Sequence, residues 1–293
     1  MEEETKVKPY SIVFVSQAGI IELESLFLAV SLRRFLKDNV EIIAATPSKE
    51  ALCPKTIELF DNLSVEIREF HNPLTDYAVA IRRDLLMTNK IFAIDLISES
   101  NDVVFIDSDT IALKELSFDI GQYDSISPRV GFPGGHLKGA SWEEAAKACS
   151  TTLPSERVTI SNGSIENNIP PAFNAGFMML SSRIFKRFLK EWRQNFEALG
   201  RSKVLGSAGF FTEQTAYTLT VHKLGLNYTF LNDIPLASCL LHYVPGKFKR
   251  LSSDPLSSAL FKSFLEEYPS ISQIFADRVE RGLVKEEDAC LEA

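Results

Sequence analysis

The chain predicts an α/β fold, a Rossmann-like, mostly parallel central sheet with helices on both faces and an elaborated C-terminal half. Three observations carry that expectation. Short apolar runs rich in β-branched residues alternate with stretches of helical period as far as Ile106, as successive βαβ units do. The alternation stops near Ser117 and gives way to a stretch rich in Gly, Pro, Ser and Asn. Helical periods then return, with no internal repeat and no shift of composition to mark a second core.

Ser11–Ser16 (SIVFVS) is nearly continuous in apolar residues, the pattern of a strand buried on both faces. From Glu22 to Leu36 the residues Leu23, Leu26, Phe27, Val30 and Leu32 recur at roughly helical spacing. Arg33, Arg34 and Lys37 add positive charge near the end, where a helix dipole favours it. Val40–Ala45 reads as a second strand, Lys49–Phe60 as a helix and Ser64–Phe70 as an alternating strand. Ala78–Ile97 reads as a long helix and Asp102–Ile106 (DVVFI) as a fourth, buried strand. Right-handed crossovers set the C-terminal ends of such strands along one rim, where ligands bind. Chemistry is therefore expected just after Ser16 and Ile106. Residues 128–171 read as an irregular binding or lid region around a helix at Trp142–Ser150. Ala172–Leu180 reads as a strand, Arg183–Leu199 and Phe211–Leu224 as helices, Tyr228–Leu231 and Leu240–Val244 as short strands. The tail after Leu256 reads as two short helices.

With 293 residues, 45% of them apolar and 24% charged, the chain can bury a sizeable core without staples. The 31 Lys and Arg against 39 Asp and Glu leave a net charge of −8. That is no footprint for nucleic acid, which needs a basic face. It also argues against electrostatic docking on an anionic membrane, though it leaves peripheral contact through a local patch open. Cys53, Cys149, Cys239 and Cys290 form no C-x-x-C pair and read as reduced thiols. The charged start (MEEETKVKPY), and Glu22 and Glu24 breaking the apolar stretch that follows, give no signal peptide or transmembrane segment. A cytoplasmic protein is expected.

The sharpest chemical signal is Asp107-Ser108-Asp109, directly after DVVFI. Two carboxylates two positions apart at a strand's C-terminal rim offer oxygen ligands to a hard divalent cation. The alternative is that they cap a turn before Lys114. A lone histidine in an apolar strand, such as His242, is more often a hydrogen-bonded structural residue. Met178 and Met179 read as core, and Lys247, Lys249 and Arg250 could form a solvated cluster. His71, His136 and His222 share no spacing and read as structural or surface residues, though His136 in GFPGGH could touch a ligand.

Taken in order, five pieces resemble the metal-dependent GT-A glycosyltransferases, in particular the glycogenin-like, galactosyltransferase-like retaining family. NDVVFIDSDTIAL (101–113) looks like that family's strand and D-x-D, and AFNAGFMML (172–180) like its N-A-G signature. EQTA (213–216) resembles its Asp-Gln helix start, and LHYVPGKFKR (241–250) its terminal histidine motif; Lys90 sits where the family has a basic residue. The resemblance implies a GT-A-like fold and transfer of a hexose from a nucleotide-diphosphate sugar, a UDP-sugar favoured. The acceptor would be a hydroxyl on a glycan, lipid-linked saccharide or protein, with retention of configuration. It implies Mn²⁺ or Mg²⁺ held by Asp107, Asp109 and His242. Asn174, Glu213 and Gln214 would lie at the reacting sugar, Glu213 being a nucleophile in one version and the leaving phosphate taking the acceptor proton in the other. Donor contacts would come from Ser16, Gln17, Ala18, Lys90, Asp107, Ser108, Ala175, Gly176, Gly246 and Lys247, with Lys249 the alternative to Lys247.

The chain departs from the family in Glu213 for Asp, in the shifted glycine and missing Pro-Trp of the terminal motif, and in Gln17-Ala18 where an aromatic is usual. The expected organisation is a single domain over 1–293. Within it, 1–116 would be the nucleotide-sugar half, 117–255 the acceptor and catalytic half and 256–293 a helical tail. Residues 128–171 and the tail helices would wall the acceptor. A catalytically silent nucleotide-sugar or glycan-binding module is the alternative from another class. A nucleotidyltransferase is disfavoured, because QAGIIELES lacks the glycine-rich basic loop that holds a triphosphate.

Overall fold

The computed structural model describes residues 10–36, 40–73, 84–130, 137, 141–162, 165–202, 204–205, 212–243, 248 and 255–285. The strands are β1 (Tyr10–Val15), β2 (Glu41–Thr46), β3 (Val65–Glu69), β4 (Asp102–Ile106), β5 (Thr110–Ala112), β6 (Ser125–Ser127), β7 (Val158–Asn162), β8 (Ile165–Ile169), β9 (Phe177–Leu180), β10 (Tyr228–Phe230) and β11 (Leu240–His242). The helices are α1 (Ile20–Phe35), α2 (Pro54–Asn62), α3 (Asp84–Ala93), α4 (Trp142–Ala148), α5 (Phe185–Ser202), α6 (Thr212–Lys223), α7 (Pro255–Glu267) and α8 (Ser270–Glu280). A seven-stranded sheet has the order β10-β6-β9-β4-β1-β2-β3. β1 with β2, β2 with β3 and β10 with β6 are parallel, and β6 with β9 is antiparallel. The mostly parallel α/β architecture is the one the sequence predicts.

The chain forms two compact units. Unit 1 contains Asn72–Phe105 and Asp119–Ile234, and unit 2 contains Tyr10–His71, Ile106–Phe118 and Pro235–Ala293. In unit 2, α1 packs with α2, α7 and α8. Its Phe27 stacks on Phe261 at 4.5 Å between ring centroids and meets Phe248 and Phe275 at 5.7 and 6.1 Å. Burying a side chain of that size contributes about 1.5–3 kcal/mol. In unit 1, α5 lies along α6, and Phe188, Trp192 and Tyr217 pack edge to face or tilted, with centroids 5.2–5.8 Å apart. Met178 and Met179 of β9 are core residues, 0% and 2% exposed.

Several boundaries differ from expectation for local reasons. The helix expected from Lys49 starts at Pro54, with Cys53 as its N-cap; a proline suits the first helical position because its missing N–H has no partner there anyway. The strand expected over Ala172–Leu180 begins only at Phe177. The Asn174 Oδ1 accepts a 2.7 Å bond from the Gly176 N–H, which closes a turn ahead of it. Within the stretch expected to be irregular, β7 and β8 pair antiparallel, Val158 opposite Ile169 and Asn162 opposite Ile165. β5 and β6 are three-residue strands, too short to show a period. Of the helix expected over Ala78–Ile97, residues 78–83 lie outside those described, and the rest continues past α3 as a 3-10 turn at Ile94–Leu96. No helix among the described residues is long and apolar enough to cross a membrane. Cys53, Cys149 and Cys239 are free thiols, and burial pushes the Cys149 thiol up to about 12, so it stays protonated and inert.

Candidate functional site

In unit 2 the turn Asp107-Ser108-Asp109 joins β4 to β5. The Ser108 hydroxyl donates to the Val15 carbonyl at the end of β1, which fixes the turn against that strand. β5 then pairs antiparallel with β11, placing Thr110 opposite His242. The ladder is extended by the Tyr243 N–H donating to the Asp109 carbonyl at 2.9 Å and the Leu113 N–H to the Cys239 carbonyl at 2.8 Å. That pairing carries His242 across 133 residues of sequence to Asp109, with Nε2 3.0 Å from Oδ2. Asp107, Asp109 and His242 each offer a ligand atom, all within 4.8 Å of one another. Asp109 is 4% exposed, Asp107 half-buried and the His242 ring open to solvent. Two carboxylates and one imidazole make a set that a hard divalent cation accepts, the imidazole suiting Mn²⁺ better than Mg²⁺.

Next to this cluster the Tyr243 hydroxyl is buried and has no hydrogen-bond partner among the described residues. Burial, together with the carboxylates of Glu24 and Asp109, pushes this phenol well above its ordinary value, so it stays neutral. At the end of β1 the three expected donor contacts divide. Ser16 is buried and its hydroxyl pairs with Ser25 at 2.8 Å, while Gln17 and Ala18 are half-buried. Gly19, the N-cap of α1, has φ 102° and ψ −144°, a conformation open essentially to glycine alone.

In unit 1 a second cluster forms around Lys90, near the end of α3. Its Nζ donates to the Ala175 carbonyl at 3.2 Å and lies 3.7 Å from Glu213 Oε1. Both side chains are almost fully buried, at 5% and 2% exposed. Glu213 stands in the first turn of α6, where the helix dipole favours a carboxylate. The Trp192 indole N–H donates to its carbonyl at 2.8 Å and fixes that turn against α5. Gln214, 6% exposed, and Thr215, fully buried, have side-chain oxygens without partners among the described residues. Asn174 spends its side-chain oxygen on Gly176 and its N–H on the Pro128 carbonyl at 2.8 Å. The structure thus brings Lys90, Ala175 and Glu213 together, as it brings Asp107, Asp109 and His242 together. Gly246, Lys247 and Lys249 of the terminal motif, and His136, lie outside the described residues.

Sequence reasoning missed Glu22, whose carboxylate is buried in the first turn of α1, and Arg278 of α8, which pairs with it at 2.6 Å. Nothing in a linear reading joins residues 256 positions apart.

Solved structures that resemble the chain include mouse xyloside xylosyltransferase 1 in its apo form, at 10% identity and a TM-score of 0.46, covering 76% of this chain and 85% of that one. Another is the glycosyltransferase GlyE of Streptococcus pneumoniae, at 14% identity and a TM-score of 0.48, covering 94% and 64%. A third is the galactosyltransferase LgtC in complex with donor and acceptor sugar analogs, at 14% identity and a TM-score of 0.44, covering 75% and 73%. No curated protein matches. The family model of the Rhodobacterales glycosyltransferase domain matches residues 12–225, well over half of the chain, and the chain belongs to that family of glycosyltransferases.

Proposed function

We propose that the chain transfers a hexose from a nucleotide-diphosphate sugar, a UDP-sugar in the first instance, to a hydroxyl of a glycan, a lipid-linked saccharide or a protein, with retention of configuration. The observation that supports this most is the convergence of Asp107, Asp109 and His242. These residues would hold Mn²⁺, or less aptly Mg²⁺, which when bound stabilises as a Lewis acid the negative charge left on the departing diphosphate. Asp109 is the anchor of the set, since burial and the Tyr243 N–H on its main-chain carbonyl leave it little freedom.

The roles in unit 1 follow from chemistry of the same kind. The Lys90–Glu213 pair sets a fixed carboxylate in a buried place, where a partial positive charge developing at the anomeric carbon is best stabilised. The buried Gln214 Oε1, without a partner among the described residues, suits a donor-sugar hydroxyl. Retention rests on the family resemblance alone.

A thermal-shift panel of UDP-, GDP-, CMP- and dTDP-sugars, with and without Mn²⁺ or Mg²⁺, tests the reading on wild type and Asp109→Asn. A ligand at about one hundred times its Kd stabilises the folded state by about 2.7 kcal/mol. One nucleotide class is expected to raise the melting temperature, and only with metal and with Asp109 intact. Absence of any such shift in the wild type would overturn the donor assignment.

A further inference from the structure

We propose that the turn after α8 forms part of the wall around the donor nucleoside and that Arg278 positions it, an inference that rests on the donor reading above. Glu22, in the first turn of α1, is 0% exposed and Arg278 is 1% exposed. Both carboxylate oxygens are used. Oε1 accepts from the Cys53 N–H at 2.7 Å, at the N-cap of α2, and Oε2 accepts from Arg278 Nε at 2.6 Å. The same guanidinium donates to the Ala51 carbonyl at 3.1 Å. A buried carboxylate is tolerated only when paired and hydrogen-bonded to this degree, so α1, α2 and α8 are held in one register at the start of α1.

Arg278 acts a second time through its main chain. Its carbonyl accepts from the N–H groups of Leu283 at 2.9 Å and Val284 at 3.2 Å. The reversal is made at Gly282, whose φ of 66° is the left-handed conformation that ends a helix. This turn brings the Leu283 carbonyl to 3.4 Å from the point a Cβ on Gly19 would occupy. Gly19 follows the Gln17-Ala18 loop at the end of β1, where the family resemblance would set the donor nucleoside against Ser16, Gln17 and Ala18. The side chain of Leu283 is 48% exposed, an apolar group left in solvent on the segment that lies against this loop. One residue therefore sets the height of α1's first turn with its side chain and the position of the neighbouring turn with its carbonyl. His242 Nε2 lies 3.0 Å from Asp109 Oδ2, whereas the Arg278 guanidinium is engaged by Glu22 and the Ala51 carbonyl. The tail helices, expected from sequence to wall the acceptor, pack on α1 and α2.

The test measures donor hydrolysis against donor concentration at saturating Mn²⁺, using whichever sugar nucleotide stabilises the wild type most. Mn²⁺ binding without nucleotide is read by calorimetry. The variants are Arg278→Lys and the double variant Glu22→Gln/Arg278→Met, which leaves no unpaired buried charge and supplies a folded comparison if the lysine variant does not fold. Expected is a donor KM raised about tenfold, equivalent to about 1.4 kcal/mol, with kcat within about threefold and Mn²⁺ affinity unchanged, since loss of uniform binding raises KM alone. An unchanged KM in the folded variants overturns the proposal and leaves the donor reading standing. A parallel fall of kcat and Mn²⁺ affinity also overturns it, because that marks general loosening. No donor binding by the wild type overturns the donor reading itself, and this proposal with it.

Discussion

His222 gives the clearest electrostatic consequence at the scale of one residue. Burial lowers its affinity for a proton, against a weaker upward pull from its bond to the Pro171 carbonyl and from Glu156. Its Nε2 lies 2.7 Å from that carbonyl, so the neutral ring donates there. A base with a depressed folded-state pKa takes up its proton more readily in the unfolded chain. Stability is therefore lost as pH falls through the ordinary imidazole value, and the loss ends once the folded value is passed. Urea midpoints measured from roughly pH 7.5 to pH 5 should fall in the wild type and fall less steeply in His222→Gln, which can still donate to Pro171. Equal slopes in the two proteins would show that other groups set the acid response. The same scale holds the residues that were hardest to read. Asp107 and Asp109 were legible because they follow a strand of five buried residues, and His242 only through a resemblance. Glu22 read as nothing more than an interruption of an apolar run, because its meaning lies in a guanidinium far along the chain.

Among elements, β5 and β11 are the smallest that matter. Each has three residues, yet their pairing is what sets His242 against Asp109. A ladder so short has little stability of its own and should open locally. A cation that joined the Asp107–Asp109 turn leading into β5 to His242 of β11 would close that opening. Mn²⁺ at about one hundred times its Kd is expected to slow amide exchange at Thr110–Ala112 and Leu240–Tyr243 by up to about a hundredfold, the equivalent of about 2.7 kcal/mol. β2 and β3 serve as the internal control, and equal slowing there would point to a global effect instead. Long elements were legible through their period, as with α1, α5 and the parallel strands of unit 2. Short ones were not. β6 is two serines around an isoleucine, and its hydroxyls are satisfied by Tyr217 at 2.8 and 2.6 Å, a partner that no local pattern names. For β7 and β8 a signal existed in Asn162-Gly163 between two alternating runs, the dipeptide favoured in tight hairpins. It was hidden by the surrounding Ser, Asn and Pro.

Across the whole molecule, the tail helices complete unit 2. A chain ending at residue 254 would leave Phe27 without Phe261 and Phe275, and Glu22 buried without a cation. Stranding one partner of a buried pair costs about 3–5 kcal/mol, a large part of the roughly 5–15 kcal/mol that holds a domain together. The truncated chain is expected to lose its cooperative melt and its near-ultraviolet circular dichroism. A sharp transition retained after truncation would show that the tail is dispensable. The same pairing bears on how the protein is made. Glu22 emerges from the ribosome 256 residues before Arg278, and at about 5–20 residues per second that is an interval of roughly 13–50 s. For that time α1 lacks the guanidinium that pairs with Glu22 and the rings of Phe261 and Phe275 that pack on Phe27. Unit 2 can close only when nearly all of the described chain has been translated.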